Sequence, residues 1–178
     1  MAIKATIFKA LVQISDMDRN YYNEHQLTLA RHPSETDERM MVRLLAFVLN
    51  AGERLEFTKG LCAEDEAEIW QRSFSDEIEL WIDVGQPDEN RIRKACNRAN
   101  QVIIYSYGGR SSGIWWQRLG DKLLRHDNLR VINLPETSSK ALAQLAKRSM
   151  ELHISIQDGL ISVGDAEQNL MVVTEVFR

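Results

Sequence analysis

The chain opens with apolar and polar positions in near alternation. Residues 3–15 read as a strand, in which Ile7, Ala10 and Val12 break strict alternation and so admit a bulge. The polar run Asp16-Met17-Asp18-Arg19-Asn20 is a turn signal, and residues 22–30 alternate again, with Leu27 and Leu29 on one side. Together these segments predict an N-terminal β-hairpin. Pro33-Ser34-Glu35-Thr36-Asp37 then opens a helix, with Ser34 or Thr36 as its cap and acids at the positive end of its dipole. That helix runs to about residue 51, where Gly52 is placed to stop it, and its apolar character on nearly every side from Met40 to Leu49 makes it central. Residues 53–75 are mixed, with a short strand expected near 55–58 and an acidic helical turn at 64–70.

The clearest strand is 78–85. Beyond it the pattern predicts a helix at 87–99, a strand at 101–107, a glycine-rich loop, a helix at about 114–124, a strand at 129–134 and a helix at 138–147. Alternating strands and helices imply parallel strands with crossover helices. The tail, 151–177, reads as strands broken at Asp158-Gly159, a strong hairpin signal, and near Gly164-Asp165. The expectation is one α/β (α+β) domain over residues 1–178: a mixed β-sheet with flanking helices, an N-terminal β-hairpin and C-terminal strands.

Composition narrows the function more than the fold. A chain of 178 residues with 44% hydrophobic and 27% charged residues suits one domain with a full core. The net charge of −4 gives no overall basic excess, so contact with DNA or RNA would need a local basic patch. Two cysteines, Cys62 and Cys96, make neither a disulfide framework nor a zinc set, and read as reduced thiols. No signal-peptide core and no apolar run of transmembrane length is present, so the expectation is a cytoplasmic protein with no membrane partner.

Chemistry points to Asp83. Alternation along 78–85 puts Ile78, Leu80, Ile82 and Val84 on a core face, and Glu79, Trp81, Asp83 and Gly85 on the other. Asp83 lies at the carboxyl end, where loops of such sheets leave a crevice, and the chain turns through Gly85-Gln86-Pro87, with Pro87 suited to the first helical position. An ion-paired or helix-capping aspartate is the ordinary reading of such a position. Two features favour a site: the acidic cluster Glu64-Asp65-Glu66 with Glu68, and Glu38 on the helix stripe of Met41, Val42 and Leu45. Carboxylates converging on one crevice form a hard-oxygen site for Mg²⁺ or Mn²⁺.

The segments Gly60-Leu61-Cys62-Ala63-Glu64-Asp65-Glu66-Ala67-Glu68-Ile69-Trp70, Glu79-Leu80-Trp81-Ile82-Asp83-Val84-Gly85-Gln86-Pro87-Asp88-Glu89 and Arg91-Ile92-Arg93-Lys94-Ala95-Cys96 resemble the YaeQ family of small bacterial proteins, over the whole chain. The resemblance implies a variant of the restriction-endonuclease-like PD-(D/E)xK core. Members of that superfamily place an acid before a hairpin, a second acid on the next strand and a lysine two residues later, often with an acid from the first helix. Carried onto this chain, Glu38 is the helix acid, Asp65 or Glu68 the first motif acid and Asp83 the second. These four are the metal ligands the resemblance implies, and Gln86 follows the motif. The lysine position is Gly85, and the nearest bases are Arg91, Arg93 and Lys94. On a 3.6-residue period Lys94 sits about 160° from the centre of the buried face of Ile92, Ala95, Cys96 and Ala99, whereas Arg91 lies at its border, so both remain candidates. The implied chemistry is metal-dependent phosphodiester hydrolysis. The alternative is a non-catalytic nucleic-acid- or protein-binding module that keeps the fold.

Other features carry weaker signals. Tyr107-Gly108-Gly109-Arg110-Ser111-Ser112-Gly113 between a strand and a helix can cradle a phosphate, but it lacks a Walker pattern and reads more simply as a connection. Trp115 and Trp116 can stack on bases, or form one core and one rim residue. Arg91, Arg93, Lys94 and Arg98, and separately Arg118, Lys122, Arg125 and His126, form basic clusters that a solvated helix face also explains. The four histidines show no ligand spacing.

Overall fold

The computed structural model describes residues 4–59 and 64–178, and the chain divides into two compact units. One is the chain up to Leu44 together with Thr137–Val173, and the other is Leu45–Glu136 with Thr174–Arg178. Each contains one sheet, so the strands expected in a single mixed sheet form two, giving a mixed α+β fold with four helices among the described residues. None of those helices is long and apolar enough to cross a membrane.

In the first unit, β1 (Thr6–Asp16) and β2 (Tyr21–Arg31) form the expected hairpin. Their register is unbroken from Thr6 opposite Arg31 to Asp16 opposite Tyr21, so there is no bulge. Phe8, Ala10, Val12 and Ile14 are buried on one face, and Ile7 sits on the other as an exposed apolar side chain. β8 (Ser149–Gln157) runs parallel to β1, and β9 (Leu160–Gly164) and β10 (Asn169–Val172) complete the order β10-β9-β8-β1-β2. Asp158 and Gly159 both take positive φ in the β8–β9 turn, as an Asp-Gly hairpin requires. Their amides donate to the Asp18 carboxylate at 2.7 and 2.9 Å, tying one hairpin tip to the other.

Helix α1 (Asp37–Leu49) begins in the first unit and ends in the second. Thr36, not Ser34, caps it, accepting from the Arg39 amide at 3.1 Å. Every residue from Met40 to Val48 is buried, as its apolar run demands, and this includes Arg43. Helix α4 (Glu136–Ala143) is shorter than expected and starts earlier.

The second unit holds β3 (Leu55–Phe57), β4 (Ile69–Arg72), β5 (Ile78–Val84), α2 (Glu89–Arg98), β6 (Ala99–Ser106), α3 (Arg110–Leu123), β7 (Leu129–Asn133) and β11 (Glu175–Val176). Its sheet order is β11-β7-β6-β5-β4-β3, with β5, β6 and β7 parallel and the outer pairs antiparallel. The helical turn expected at 64–70 is absent. The residues from 69 are strand β4, because Ile69 and Trp70 are buried against β5 and pair with Ile82 and Trp81. Pro87 stands outside α2: Asp88 is the cap, accepting from the Arg91 amide at 2.8 Å. α3 takes in Arg110–Gly113, read from sequence as loop, because a glycine inside a helix costs only about 1 kcal/mol.

Candidate functional site

The site is built on β5 and its two edges. Opposite Gln71 and Arg72 the β4–β5 register slips, so that Leu80 pairs with Gln71 and Ile78 with Arg72, leaving Glu79 as the extra residue. The slip changes the phase of β5. Ile78, expected with Leu80 and Ile82, instead joins Trp81 in the cluster that includes Ile92, Ala95 and Trp115. Downstream of the bulge both faces of the strand are covered, and Trp81 and Asp83 are each 1% exposed. Glu79, the other acid of the expected polar face, is half-buried; it accepts from Gln71 at 2.6 Å and pairs with Arg54 at 3.1 Å. The hydrogen bond from Gln71, helped by Arg54, lowers its pKa against a smaller opposing effect of burial.

A carboxylate as buried as Asp83 must be matched by a cation and by donors. Arg91, in the first turn of α2, supplies the cation. Its Nε donates to Asp83 Oδ2 at 2.7 Å and its Nη2 to Asp83 Oδ1 at 3.0 Å, a two-point grip. The same guanidinium donates to the main-chain oxygens of Glu66 at 2.8 Å and Glu64 at 3.2 Å. Glu68, immediately before β4, is the second buried acid of this unit. Its amide donates to Asp83 Oδ1 at 3.2 Å, and its Oε2 accepts from the Val84 amide at 2.6 Å. Burial opposes the charge on Arg91, but the hydrogen bonds and charge of Asp83, with Glu68 and Asp88 behind them, raise its pKa above the usual arginine value.

A cleft of about 370 Å³ opens beside this pair, lined by Glu64, Asp65, Trp81, Asp88, Asn90, Arg91, Lys94 and Arg98. The guanidinium groups of Arg91 and Arg98 lie 5.7 and 5.3 Å from the Trp81 ring centroid, and Arg98 also donates to the Asp65 main-chain oxygen at 2.5 Å. Lys94 is exposed and forms no ion pair among the described residues.

The residues singled out from the sequence therefore separate. Asp83, Glu68 and Arg91 come together. Asp65 joins through its main chain and lines the cleft with Lys94. Glu38 belongs to the first unit, where the Ser139 hydroxyl donates to its Oε1 at 2.7 Å. Among the described residues no three histidine, cysteine, aspartate or glutamate side chains gather as a metal group. Gln86 is exposed and clips the glycine loop, its Nε2 donating to the Tyr107 oxygen at 3.0 Å and to Ser111 Oγ at 2.8 Å.

Gly85 has a local physical cause. Its φ is +99°, a conformation that side-chain-bearing residues rarely adopt, while its amide donates to the Tyr105 oxygen at 2.9 Å. The backbone that leaves β5 therefore disfavours lysine, as it does any residue with a side chain, at this position.

The glycine-rich loop does not present an open anion cradle. The Glu136 carboxylate lies against Gly109, the cap of α3, where a phosphate would have to sit. Trp115 is core and donates to the Pro87 oxygen at 2.9 Å, so it is closed to a base, and the half-buried Trp116 has one face stacked on Phe177 at 6.0 Å. Cys96 packs on the buried face of α2 with its thiol pushed up to about 11 by burial, against a weaker pull from Arg178. Cys62 lies outside the described residues. The sequence carried a sign of Arg91 in its border position on α2. It carried none of the contacts from Arg91 to the Glu64 and Glu66 oxygens, because main-chain acceptors leave no mark on residue type.

Comparison with known proteins gives one consistent result. The family model described as YaeQ protein matches residues 1–174. A Salmonella typhi protein named "Uncharacterized protein YaeQ" is 50% identical over 172 residues, covering 97% of this chain and 95% of that protein. The Escherichia coli (strain K12) protein of the same name is 49% identical over the same coverage. The crystal structure of the YaeQ protein from Xanthomonas axonopodis pv. citri superposes with a TM-score of 0.94 at 47% identity, covering 98% of each chain. The Pseudomonas syringae YaeQ structure gives 0.93 at 31% identity, covering 98% of this chain and 96% of that one.

Proposed function

The chain belongs to the YaeQ family, and from that premise we propose that it is a nuclease-like protein, acting on nucleic-acid phosphodiesters at the Glu68–Asp83 site with a divalent metal. One observation carries the reading. Two buried acids stand close together, Glu68 just before β4 and Asp83 on its antiparallel neighbour β5, the second on a strand that runs directly into a helix bearing the site's cations. This is the arrangement of two motif acids implied by a variant PD-(D/E)xK core, with Glu68 as the first and Asp83 as the second.

The donor set suits Mg²⁺ or Mn²⁺. Asp83 Oδ1 and Oδ2 and the Glu64 and Glu66 main-chain oxygens already surround one positive group, the Arg91 guanidinium, which stands in for a cation. Magnesium needs only one or two carboxylates, completing its shell with water and substrate phosphate. Asp83 and Glu68 would hold it, and bound there it would supply a hydroxide-like water and polarise the phosphate. The protein's own part is to orient Asp83 through the Glu68 amide, to keep both acids away from bulk water, and to offer Lys94, across the cleft, to the charge that builds on phosphoryl oxygens.

The test is cleavage of single- and double-stranded DNA and RNA in Mn²⁺ and in Mg²⁺ by wild type, Asp83→Asn and Glu68→Gln. Metal-dependent cleavage that falls at least a hundredfold in both variants is the expected result. No cleavage of any of the four substrates by wild type overturns it. A second reading, a non-catalytic binding module that keeps the fold, is favoured by the grip of Arg91 on both Asp83 oxygens. It gains the field if wild type binds nucleic acid without cutting it and binds no metal.

A further inference from the structure

The grip of Arg91 on Asp83 has a direct consequence for metal entry. The Asp83 oxygens that a metal would take are both held by Arg91, at 2.7 and 3.0 Å. A guanidinium and a divalent ion cannot share that carboxylate edge at such distances. We propose that Arg91 is a built-in competitor of the metal: it fills the Asp83 site when no metal is bound, and metal entry expels it, releasing the main chain at Glu64 and Glu66 in the same event. The inference rests on the metal-dependent reading above and adds how that site is regulated.

Four observations support an exchange over a permanent brace. The Arg91 side chain is 27% exposed although the Asp83 side chain is 2% exposed, so the pair is open on the arginine side only. The cleft beside it has room for a displaced guanidinium, and Glu64, Asp65 and Asp88 line that space and can receive it. The Trp81 ring, which the Arg91 guanidinium already approaches at 5.7 Å and Arg98 at 5.3 Å, borders the same cleft, so a displaced Arg91 can stay beside it. Finally, Arg91 is held at its own amide by Asp88, so its side chain can swing while the first turn of α2 stays capped.

The coupling to the chain follows from the donor count. Arg91 spends four hydrogen bonds here, two on Asp83 and two on the oxygens of Glu64 and Glu66. Expelling the guanidinium breaks all four together. The segment ahead of β4 then loses two of its ties to α2 and keeps the Arg98–Asp65 bond, and the cleft widens on the side where Arg91 stood.

The experiment is Mn²⁺ titration by calorimetry of wild type, Arg91→Gln, Arg91→Lys and Asp83→Asn, with amide hydrogen exchange of residues 64–68 with and without Mn²⁺. Removing the competitor is expected to tighten Mn²⁺ at least tenfold in Arg91→Gln. Arg91→Lys, which keeps the charge but not the two-point grip, is expected to fall between Arg91→Gln and wild type. In wild type, Mn²⁺ is expected to speed exchange at 64–68; in Arg91→Gln that exchange is already fast and Mn²⁺ does not raise it. Asp83→Asn binds no Mn²⁺. Equal or weaker Mn²⁺ affinity in both folded Arg91 variants, with wild type still binding, overturns the competition and leaves the metal reading standing. No Mn²⁺ binding by any of the proteins overturns both. Should Arg91→Gln fail to fold, the Arg91→Lys affinity and the wild-type exchange data decide.

Discussion

Each unit of this protein buries a carboxylate in the two-point grip of an arginine from a nearby helix, and these two knots differ in what surrounds them. In the first unit, Arg43 holds Glu35 through Nε at 3.2 Å and Nη2 at 2.8 Å, Arg39 adds a bond at 2.6 Å, and Arg43 also donates to the Ala30 oxygen. The Arg43 and Glu35 side chains are 5% and 2% exposed, so that knot is sealed at both ends. In the second unit the carboxylate of Asp83 is just as buried, but its arginine faces a cleft and a second acid, Glu68, stands beside it. A sealed pair fixes a helix entry. A pair open on one side, with a second buried acid beside it, can exchange its cation, and this separates a structural ion pair from a candidate site when the bond geometry is the same.

The comparison can be broken most severely at the sealed knot. Arg43→Met leaves Glu35 with only Arg39, and is expected to cost about 3–5 kcal/mol in urea unfolding, with no response to Mn²⁺. Arg91→Gln is expected to cost less, about 1–3 kcal/mol, because water can reach Asp83 from the cleft, and Mn²⁺ should restore part of it in the same measurement. Equal losses in the two variants, both indifferent to Mn²⁺, would erase the distinction.

Gly85→Lys comes next. An added Cβ meets nothing within 4 Å, so the cost is backbone strain alone, about 1–2 kcal/mol. Placing a lysine at that position is therefore expected to lower stability and leave any cleavage rate unimproved.

Cys96 reports on α2 without a large free-energy change. Its thiol stays protonated until pH approaches about 11, so in a Cys62→Ser background it should resist alkylation at pH 8. Neither Arg91→Gln, which keeps the Asp88 cap of α2, nor Arg43→Met should speed that alkylation.

The smallest expected effect is that of mild acid. His25, bonded to the Tyr21 hydroxyl at 2.6 Å, has its pKa lowered from 6.5 by burial. The unfolded chain therefore takes up that proton first as pH falls below 6.5, and the first unit loses a little stability there and gains none above it. His25→Gln should flatten that slope in urea unfolding at pH 5.5 and 7.5.

Much of this was legible in the chain. The hairpin, the central helix, β5 and the Asp-Gly turn follow from periodicity and turn chemistry that act over a few residues. What escaped depends on distant partners. β4 carries too few residues and too many preceding acids to announce itself, and it becomes a strand only because β5 offers it Ile82 and Trp81. The division into two sheets rests on β8 choosing β1 as its neighbour, which no local pattern encodes. At the site, Asp83, Glu68 and Arg91 could each be named from the sequence, and the family pattern grouped the first two. Their burial and the expected companions could not be read. A one-residue slip at Glu79 rephases the strand, and Glu38 has its own hydroxyl partner, Ser139.

The parallel pairing of Lys9 with Ser149, and of the residues after each, has a consequence for synthesis. The β1–β2 hairpin leaves the ribosome early, yet one long edge of β1 has no neighbour until the segment from Ser149 onward is made. In the interval the chain must complete most of the second unit, whose last strand, β11, is in turn made after the final strand of the first. Each unit thus waits on residues that emerge after the other has begun to fold. A nascent chain stalled anywhere between them carries an open β-edge, the kind of surface on which chains associate wrongly.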